Sequence, residues 1–144
     1  MSFESDKSIT FLIAKARNAL KNEFERELKP YGISYAHRVI LIRLCEQDAL
    51  TQKELAQDTY FEQSNLTLML DKMEHKGLVT RTQKENDRRA YLVKVTPKGR
   101  ELIENLSSLG EAIIDNALRG IDEEHRQILA ALLERIYANL KEPR

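Results

Sequence analysis

The polar side chains between Glu62 and Lys76 have types and a spacing suited to contact with a nucleic acid. The apolar residues of this stretch recur at three- and four-residue steps, the period of one helix face: Leu66, Met69, Leu70 and Met73. The opposite face carries the candidate contact residues Gln63, Ser64, Asn65, Thr67 and Leu68, with Asp71, Lys72 and His75 further along. Gln and Asn can bond adenine through two hydrogen bonds, while Ser and Thr can bond a base or a phosphate. Leu68 either touches a thymine methyl or packs against protein.

A basic segment follows directly after this helix. The whole chain of 144 residues has zero net charge, yet residues 76–100 hold eight basic side chains and two acidic ones. Local positive charge of this kind favours a polyanionic partner. The candidate DNA contacts in the segment are Arg81, Lys84, Asp87, Arg88 and Arg89. A solvated charged hairpin is the alternative interpretation.

The elements that position these residues begin with helices. Apolar residues at helical spacing predict a long amphipathic helix over 8–29, which ends at Pro30-Tyr31-Gly32. Ser34 is placed to cap a second, largely buried helix that reaches about Glu46. Thr51 and Glu54 form a capping-box pattern that opens a short helix. A turn over 58–61 then leads into the polar helix described above, and Gly77 ends that helix as a left-handed C-cap.

The pattern beyond Gly77 changes from helix to strand. Residues 78–82 and 91–95 are rich in β-branched and aromatic side chains, and the polar run 83–90 separates them, so a β-hairpin with a charged loop is expected. Thr96-Pro97 then starts a helix that Gly120 stops, and Asp122 caps the last helix. The order is two helices, a helix-turn-helix, a hairpin and two helices, a mainly α fold with a winged helix-turn-helix.

The wing segment carries the most specific motif. The run from Asp87-Arg88-Arg89 through Lys94-Val95-Thr96-Pro97-Lys98-Gly99 resembles the wing signature of the multiple antibiotic resistance regulator (MarR) family. Further matches are Glu54-Leu55-Ala56, Ser64, Thr67, Asp71, Glu74 and Lys76-Gly77-Leu78-Val79. The resemblance covers nearly the whole chain. It implies a transcriptional regulator that binds double-stranded DNA through the second, recognition helix of its helix-turn-helix and through its wing.

The resemblance also implies roles for individual wing residues. In the family the Asp and Arg of the wing brace its loop and an Arg at its tip enters the minor groove; here these positions are Asp87, Arg89 and Arg88. A narrow minor groove favours arginine, which agrees with that role. Two departures are Leu68, where the family commonly has a basic residue, and Tyr60, where it often has glycine. Because no Lys or Arg lies within 62–71, affinity is expected to depend mainly on the wing.

The terminal helices are expected to form a homodimer. Residues 1–144 are predicted to be one domain, in which helices over 8–48 and 97–141 dimerise and support a winged helix-turn-helix over 51–96. Their apolar stripes need a partner surface, and the resembling family dimerises by interleaving its terminal helices. The expected interface residues are Ile9, Ile13, Phe24, Leu129, Leu132, Ile136 and Leu140. A two-fold dimer predicts a pseudo-palindromic operator.

Many members of the resembling family bind small phenolic or other aromatic acids, which release DNA. The residues placed for such an effector pocket are Arg17, Tyr31, Tyr35, His37 and Arg38. For each of them, ordinary packing or a surface polar contact is the alternative. The resemblance therefore favours a repressor relieved by a small aromatic ligand.

Other functions have little support in the residues. Cys45 is the only cysteine and stands among apolar neighbours, so neither a disulfide framework nor a reactive thiol is expected. No Cys/His cluster predicts a metal site, no cofactor is expected, and no glycine-rich phosphate loop or Ser/His/Asp order suggests an enzyme. No signal peptide or membrane span is recognised, which favours the cytoplasm. A helical dimer that binds another protein through its basic hairpin is the alternative function.

Overall fold

The fold is a helical chain with one small β-sheet. The computed structural model describes the backbone of residues 3–141 and the side chains of residues 8–141 except that of Arg88. The elements in this range, in chain order, are α1 (Phe3–Leu28), a 3-10 turn (Lys29–Tyr31), α2 (Tyr35–Glu46), β1 (Leu50–Thr51), α3 (Gln52–Asp58), α4 (Gln63–His75), β2 (Val79–Lys84), β3 (Asp87–Val95), α5 (Pro97–Asn105), α6 (Ser107–Ala117) and α7 (Glu123–Lys141). The predicted mainly α fold with a winged helix-turn-helix is confirmed.

Local side-chain caps set three of the helix starts. Ser34 Oγ accepts the backbone N–H of His37 at 3.1 Å at the start of α2. Thr51 Oγ1 accepts from Glu54 N at 3.0 Å, and Glu54 Oε1 accepts from Thr51 N at 2.9 Å, which completes a capping box. Thr96 Oγ1 accepts from Gly99 N at 3.0 Å ahead of Pro97. These caps satisfy backbone donors that a helix leaves unpaired at its N-terminus.

Two glycines are required for different reasons. Gly77 follows α4 with φ of 76°, a left-handed conformation that ends the helix, as its sequence position indicates. Gly99 is buried in α5, and a Cβ at this position would lie 2.3 Å from Leu78 O. The absence of a side chain at Gly99 therefore lets α5 pack directly against the backbone at the start of β2.

The sheet has three antiparallel strands in the order β1-β3-β2. Thr51 pairs with Leu92 across β1 and β3, while Arg81 pairs with Val93 across β2 and β3. Two expectations need correction here. The sequence predicted only a hairpin, but β1 adds a third strand. The charged loop expected over 83–90 is mostly strand, because backbone pairing continues to Lys84 and resumes at Asp87, with a register shift after Gln83.

The helix expected from Pro97 to Gly120 is divided at Leu106. Leu106 lies between α5 and α6, and its N–H is shared between the carbonyls of Leu102 and Ile103. Leu106 is 2% exposed, so the division lies in the core.

The chain divides into two compact units at Gly110. The first unit holds α1 to α5, the sheet and a core of fully buried side chains: Phe24, Leu28, Ile40, Leu41, Leu44, Leu55, Leu66, Leu70, Met73, Val79, Val93 and Leu106. This core joins α2, α3 and α4 to the sheet, so the first unit contains the whole winged helix-turn-helix.

The second unit begins at Glu111 and contains α7. Asp122 Oδ1 caps α7 by accepting from His125 N at 2.9 Å. Arg126 donates to the carbonyls of Ile121 and Leu118 at 2.7 and 3.0 Å, which ties the turn at Gly120 to the helix. Among residues 3–141, no helix combines the length and apolarity that crossing a membrane requires.

Candidate nucleic-acid interface

A groove separates the helix-turn-helix from the wing, which comprises β2, β3 and the turn between them. Its volume is about 920 Å³. The N-terminal turns of α3 and α4 form one wall through Lys53 and Gln63, while Lys84 and Arg89 belong to the wing wall. Within the described residues, Lys53, Lys84 and Arg89 form no ion pair with a carboxylate. The groove therefore presents cations on both sides to an approaching anion, while its carboxylates, Glu54, Glu74 and Asp87, each accept a backbone N–H of the protein.

The outer face of α4, defined as Gln63, Ser64, Asn65, Thr67 and Leu68, is exposed throughout. Thr67 Oγ1 donates to Gln63 O at 3.0 Å and accepts from Gln52 Nε2 at 3.0 Å. The hydroxyl of Thr67 therefore already makes two hydrogen bonds to other groups of the chain. Leu68 is 63% exposed, so it does not pack into the core of this chain. Of the two alternatives that the sequence left open, packing in the core of this chain is excluded, and contact with a thymine methyl stays a prediction.

Arg81 joins the wing to α4. Its side chain is 17% exposed, and its Nη2 donates to Asp71 Oδ1 at 2.5 Å and to Glu74 Oε1 at 3.1 Å. Its backbone N–H also donates to Glu74 Oε2 at 3.1 Å. Burial opposes the charge of Arg81, but hydrogen bonds to Glu74 and Asp71 outweigh burial and raise its pKa. The sequence grouped Arg81 with the DNA contacts, whereas its guanidinium faces two carboxylates of α4.

The turn of the wing is braced by Asp87. Its Oδ1 accepts from the backbone N–H of Arg89 at 3.0 Å. The guanidinium of Arg89 forms no ion pair among the described residues. Lys84 is exposed beside this turn and pairs in the sheet with Asp87. The side chain of Arg88, also predicted to contact DNA, lies outside the described residues. Asp87 therefore acts on the shape of the wing rather than on an anion.

Gln52 and Lys53 are among the groove residues that were missed from the sequence. Gln52 and Lys53 stand in the first turn of α3 and line the same groove as Gln63. Gln52 is held by Thr67, and Lys53 is exposed without an ion pair among the described residues. The capping box at Thr51 was the available signal, because it fixes where the first turn of α3 begins.

The five residues predicted for an effector pocket make several different contacts in the described part of the chain. Tyr31 lines a cavity of about 480 Å³ together with Lys76 and Lys98. Tyr35 instead packs against Phe24 with ring centroids 5.0 Å apart. Arg17, His37 and Arg38 make other contacts within the chain.

The guanidinium of Arg38 lies 4.5 Å from the ring centroid of Phe24, and that of Arg17 lies 5.8 Å from the ring centroid of Tyr60. His37 is buried, and its Nδ1 accepts from Ser34 N at 3.3 Å. These contacts are aromatic and capping contacts within one chain, of the kind that the sequence offered as the alternative.

Most residues predicted for the dimer interface are exposed in the single chain. On α1, Ile9 and Ile13 are 53% and 40% exposed. On α7 the exposed members of the set are Leu129, Leu132, Ile136 and Leu140. Phe24 requires a correction, because it is 1% exposed and lies inside its own chain. Helical spacing placed it on the stripe of α1, but that stripe turns into the core towards its C-terminal end.

The lone cysteine shows no feature of a reactive thiol. Burial raises the pKa of Cys45, and the nearby charge of Arg100 only partly offsets this rise. A raised pKa leaves little thiolate at neutral pH, so nucleophilic reactivity is low. Among the described residues there is also no group of His, Cys, Asp and Glu that could hold a metal ion.

Comparison with known proteins agrees with this geometry. The MarR family model matches residues 33–91, which span α2, the helix-turn-helix and most of the wing. The organic hydroperoxide resistance transcriptional regulator of Bacillus subtilis is 26% identical over 136 residues, covering 94% of this chain and 89% of the relative.

Two solved structures share the fold. One is a mutant of MarR from E. coli complexed with operator DNA, with a TM-score of 0.84, 24% identity and coverage of 94% of this chain and 98% of the other. The second is BpsR of Bordetella bronchiseptica, from work on regulation of its DNA binding by 6-hydroxynicotinic acid. Its TM-score is 0.83 at 22% identity, with coverage of 90% of this chain and 92% of the other.

Over residues 33–91 the chain matches the MarR family of winged helix-turn-helix transcriptional regulators. The resemblance read from the wing motif is thereby confirmed. The relatives are transcriptional regulators, so the expectation that this chain is not an enzyme is confirmed as well.

Proposed function

We propose that this regulator binds operator DNA in a sequence-specific manner, with α4 in the major groove and the wing against the neighbouring minor groove. The observation that carries this proposal is the groove between the two elements, with Lys53 on one wall and Lys84 and Arg89 on the other. A helix and a hairpin separated in this way match a helix in a major groove flanked by phosphates. The operator complex of the E. coli relative supports the same mode.

Affinity and specificity are assigned to different residues. The first two turns of α4 hold no Lys or Arg, so Lys84, Arg88 and Arg89 supply most of the phosphate and minor-groove attraction. The amides of Gln63 and Asn65, with Ser64, are exposed to read base edges. Arg81, Asp71 and Asp87 hold these elements in position.

The regulator acts as a homodimer in this proposal. Apolar side chains on α7 are exposed in the single chain, among them Leu132 at 57% and Leu140 at 76%. A second copy covers such a surface, because each buried leucine or isoleucine contributes roughly 1.5–3 kcal/mol. Ile9 and Ile13 of α1 are exposed as well and belong to the same proposed interface. Two-fold symmetry places two recognition helices about one DNA turn apart, so the operator is pseudo-palindromic.

We further propose that the regulator acts in the cytoplasm as a repressor and that a small aromatic acid relieves the repression. Support comes from BpsR, whose DNA binding is regulated by 6-hydroxynicotinic acid. The cavity of about 480 Å³ beside Tyr31 is of ligand size, and Lys76, Lys98 and Glu101 are among its lining residues. The ammonium groups of the two lysines donate to the carbonyls of Gly32 and Lys76, and a bound carboxylate would compete for them. An aromatic ring against Tyr31 and a carboxylate towards the two lysines suit this cavity.

Selection of bound sites from random duplex DNA tests the function directly. We expect enrichment of a two-fold symmetric site, and weaker binding when 6-hydroxynicotinate or salicylate is present. Tyr31→Ala should remove the effect of the acid and leave binding without acid unchanged. Failure to enrich any sequence would contradict specific DNA binding.

Salt dependence separates this function from the alternative of a helical dimer that binds a protein through its basic wing. Release of counterions makes DNA affinity fall by orders of magnitude between about 50 and 200 mM salt when several phosphates are neutralised. Binding to duplexes that is weak and insensitive to salt would favour the protein-interaction module.

A further inference from the structure

Leu68 is an apolar side chain in the middle of a polar surface. It lies on the outer face of α4, one helical turn after Ser64 and Asn65, and is 63% exposed. Residues three or four apart share a helix face, so Leu68 stands directly beside the amide and hydroxyl that read bases in the proposed mode. An exposed leucine contributes little to folding. Its place among the proposed base-reading side chains makes it available to an apolar group of the DNA.

The neighbours of Leu68 restrict what that partner is. Thr67 is occupied by Gln52 and by the backbone of Gln63, so its hydroxyl is bonded within the protein. Asp71, one turn further along, is neutralised by Arg81 at 2.5 Å and therefore repels DNA less. The surface next to Leu68 thus offers no unpaired carboxylate on the Asp71 side and is compatible with close approach to DNA.

The major groove offers one strongly apolar group, which is the C5-methyl of thymine. We infer that Leu68 reads the methyl group of a thymine, so that each half-site of the operator holds an A·T pair opposite this side chain. The inference rests on the proposed DNA-binding function and specifies what its recognition helix prefers.

Asn65 strengthens the assignment to an A·T pair. Its amide can bond adenine through two hydrogen bonds. Side chains at i and i+3 on a helix are about 5–6 Å apart at Cβ, a distance that spans neighbouring bases. Asn65 and Leu68 together therefore favour a half-site in which adenine and thymine are read within one or two base pairs.

Uracil substitution tests the inference without disturbing hydrogen bonds. The duplex selected with the wild-type protein is resynthesised with uracil in place of each thymine in turn, which removes a single methyl group. At one thymine of each half-site we expect binding to weaken about fourfold, and roughly 15-fold when both half-sites carry uracil. At the same position a C·G pair lacks the methyl group, whereas a 5-methylcytosine·G pair carries it. The duplex with 5-methylcytosine should bind about fourfold more tightly than the duplex with cytosine.

Leu68→Ala identifies the side chain responsible. This variant should bind the thymine and uracil duplexes equally and keep its affinity for unrelated duplexes. Ile114→Ala is the matched control, because Ile114 is 40% exposed on α6 and belongs to none of the proposed contact sets. The Ile114→Ala protein should still bind the uracil duplex about fourfold more weakly than the thymine duplex. Thermal unfolding of both variants checks that each is folded.

The results of these experiments distinguish a failure of the proposed function from a failure of the role of Leu68. If the wild type enriches no sequence, the proposed function fails and this inference fails with it. If a site is enriched but no thymine in it responds to uracil, or if the penalty persists in Leu68→Ala, specific DNA binding stands and the role of Leu68 is wrong.

Discussion

Arg81 on β2 and Asp71 on α4 form an ion pair in which Nη2 lies 2.5 Å from Oδ1. The same nitrogen lies 3.1 Å from Oε1 of Glu74. The pair connects the wing to the recognition helix across a distance of ten residues in the chain. Arg81 is 17% exposed, so little water competes with the two carboxylates for its guanidinium, although burial itself opposes the charge. The two elements proposed to contact DNA are therefore fixed to each other.

Arg81→Ala should weaken binding to all DNA sequences alike, because it releases the wing from α4 without removing a base contact. We expect a loss of about 1 kcal/mol in the free energy of unfolding, since both carboxylates are partly exposed and remain hydrated. Affinity for the selected duplex and urea unfolding measure the two effects. Asp71→Asn should reproduce them in part. A change in base preference without a general loss would show that Arg81 contacts bases directly.

Arg88→Ala with Arg89→Ala should cost the most affinity of any pair on the wing. Loss of phosphate and minor-groove contacts also reduces the slope of log affinity against log salt by roughly one for each contact removed. Arg26→Ala is a suitable control, because it removes an exposed arginine that is paired with Glu23 on α1. Unchanged affinity in the double variant would exclude the wing as the main anchor.

Leu132→Asp with Ile136→Asp should convert a dimer into monomers. Each substitution occurs twice in a two-fold interface, and an aspartate buried there without a partner is strongly unfavourable. Sedimentation velocity at micromolar concentration measures the change, and operator affinity should fall with it. Glu134→Gln changes a polar residue of the same helix and should remain dimeric. A monomeric wild-type protein would contradict the dimer outright.

The stability of the first unit should fall in mild acid because of His37. Burial, followed by the charges of Lys76 and Lys72, lowers the pKa of His37 from its usual 6.5, while Glu25 acts in the opposite direction. The unfolded chain then binds the proton more readily, so stability is retained above about pH 6.5 and lost as the pH falls below it. Protonation also removes the acceptor that Nδ1 offers to Ser34 N.

His37→Gln isolates this effect. Glutamine is a usual third residue of a capping box and does not titrate, so the contact with Ser34 can be kept. Urea midpoints measured from about pH 7.5 to pH 5 should decline less in the variant than in the wild type. Parallel declines would assign the acid sensitivity to other groups.

Features determined by neighbouring residues could be predicted from the sequence. The caps at Ser34, Thr51 and Thr96 and the helix stop at Gly77 depend on side chains within three or four positions, and all are found where expected. The exposed face of α4 also followed from periodicity alone.

Features that depend on distant partners could not be predicted. Strand β1 has two residues, too few to show alternation, and forms because Leu50 and Thr51 meet β3. The pairing of Arg81 with Asp71 depends on how the wing packs on α4. Phe24 likewise fits the stripe of α1, but Tyr35 and Arg38 cover it in the folded chain.

Thr51 belongs to two structures at once. Its backbone pairs with Leu92 in the sheet, while its side chain caps α3 through Glu54. Opening of the sheet edge therefore uncaps the first helix of the helix-turn-helix, and loss of the cap frees the sheet edge. Amide hydrogen exchange should report both segments as a single cooperative unit, with matched protection in α3 and in the middle of β3.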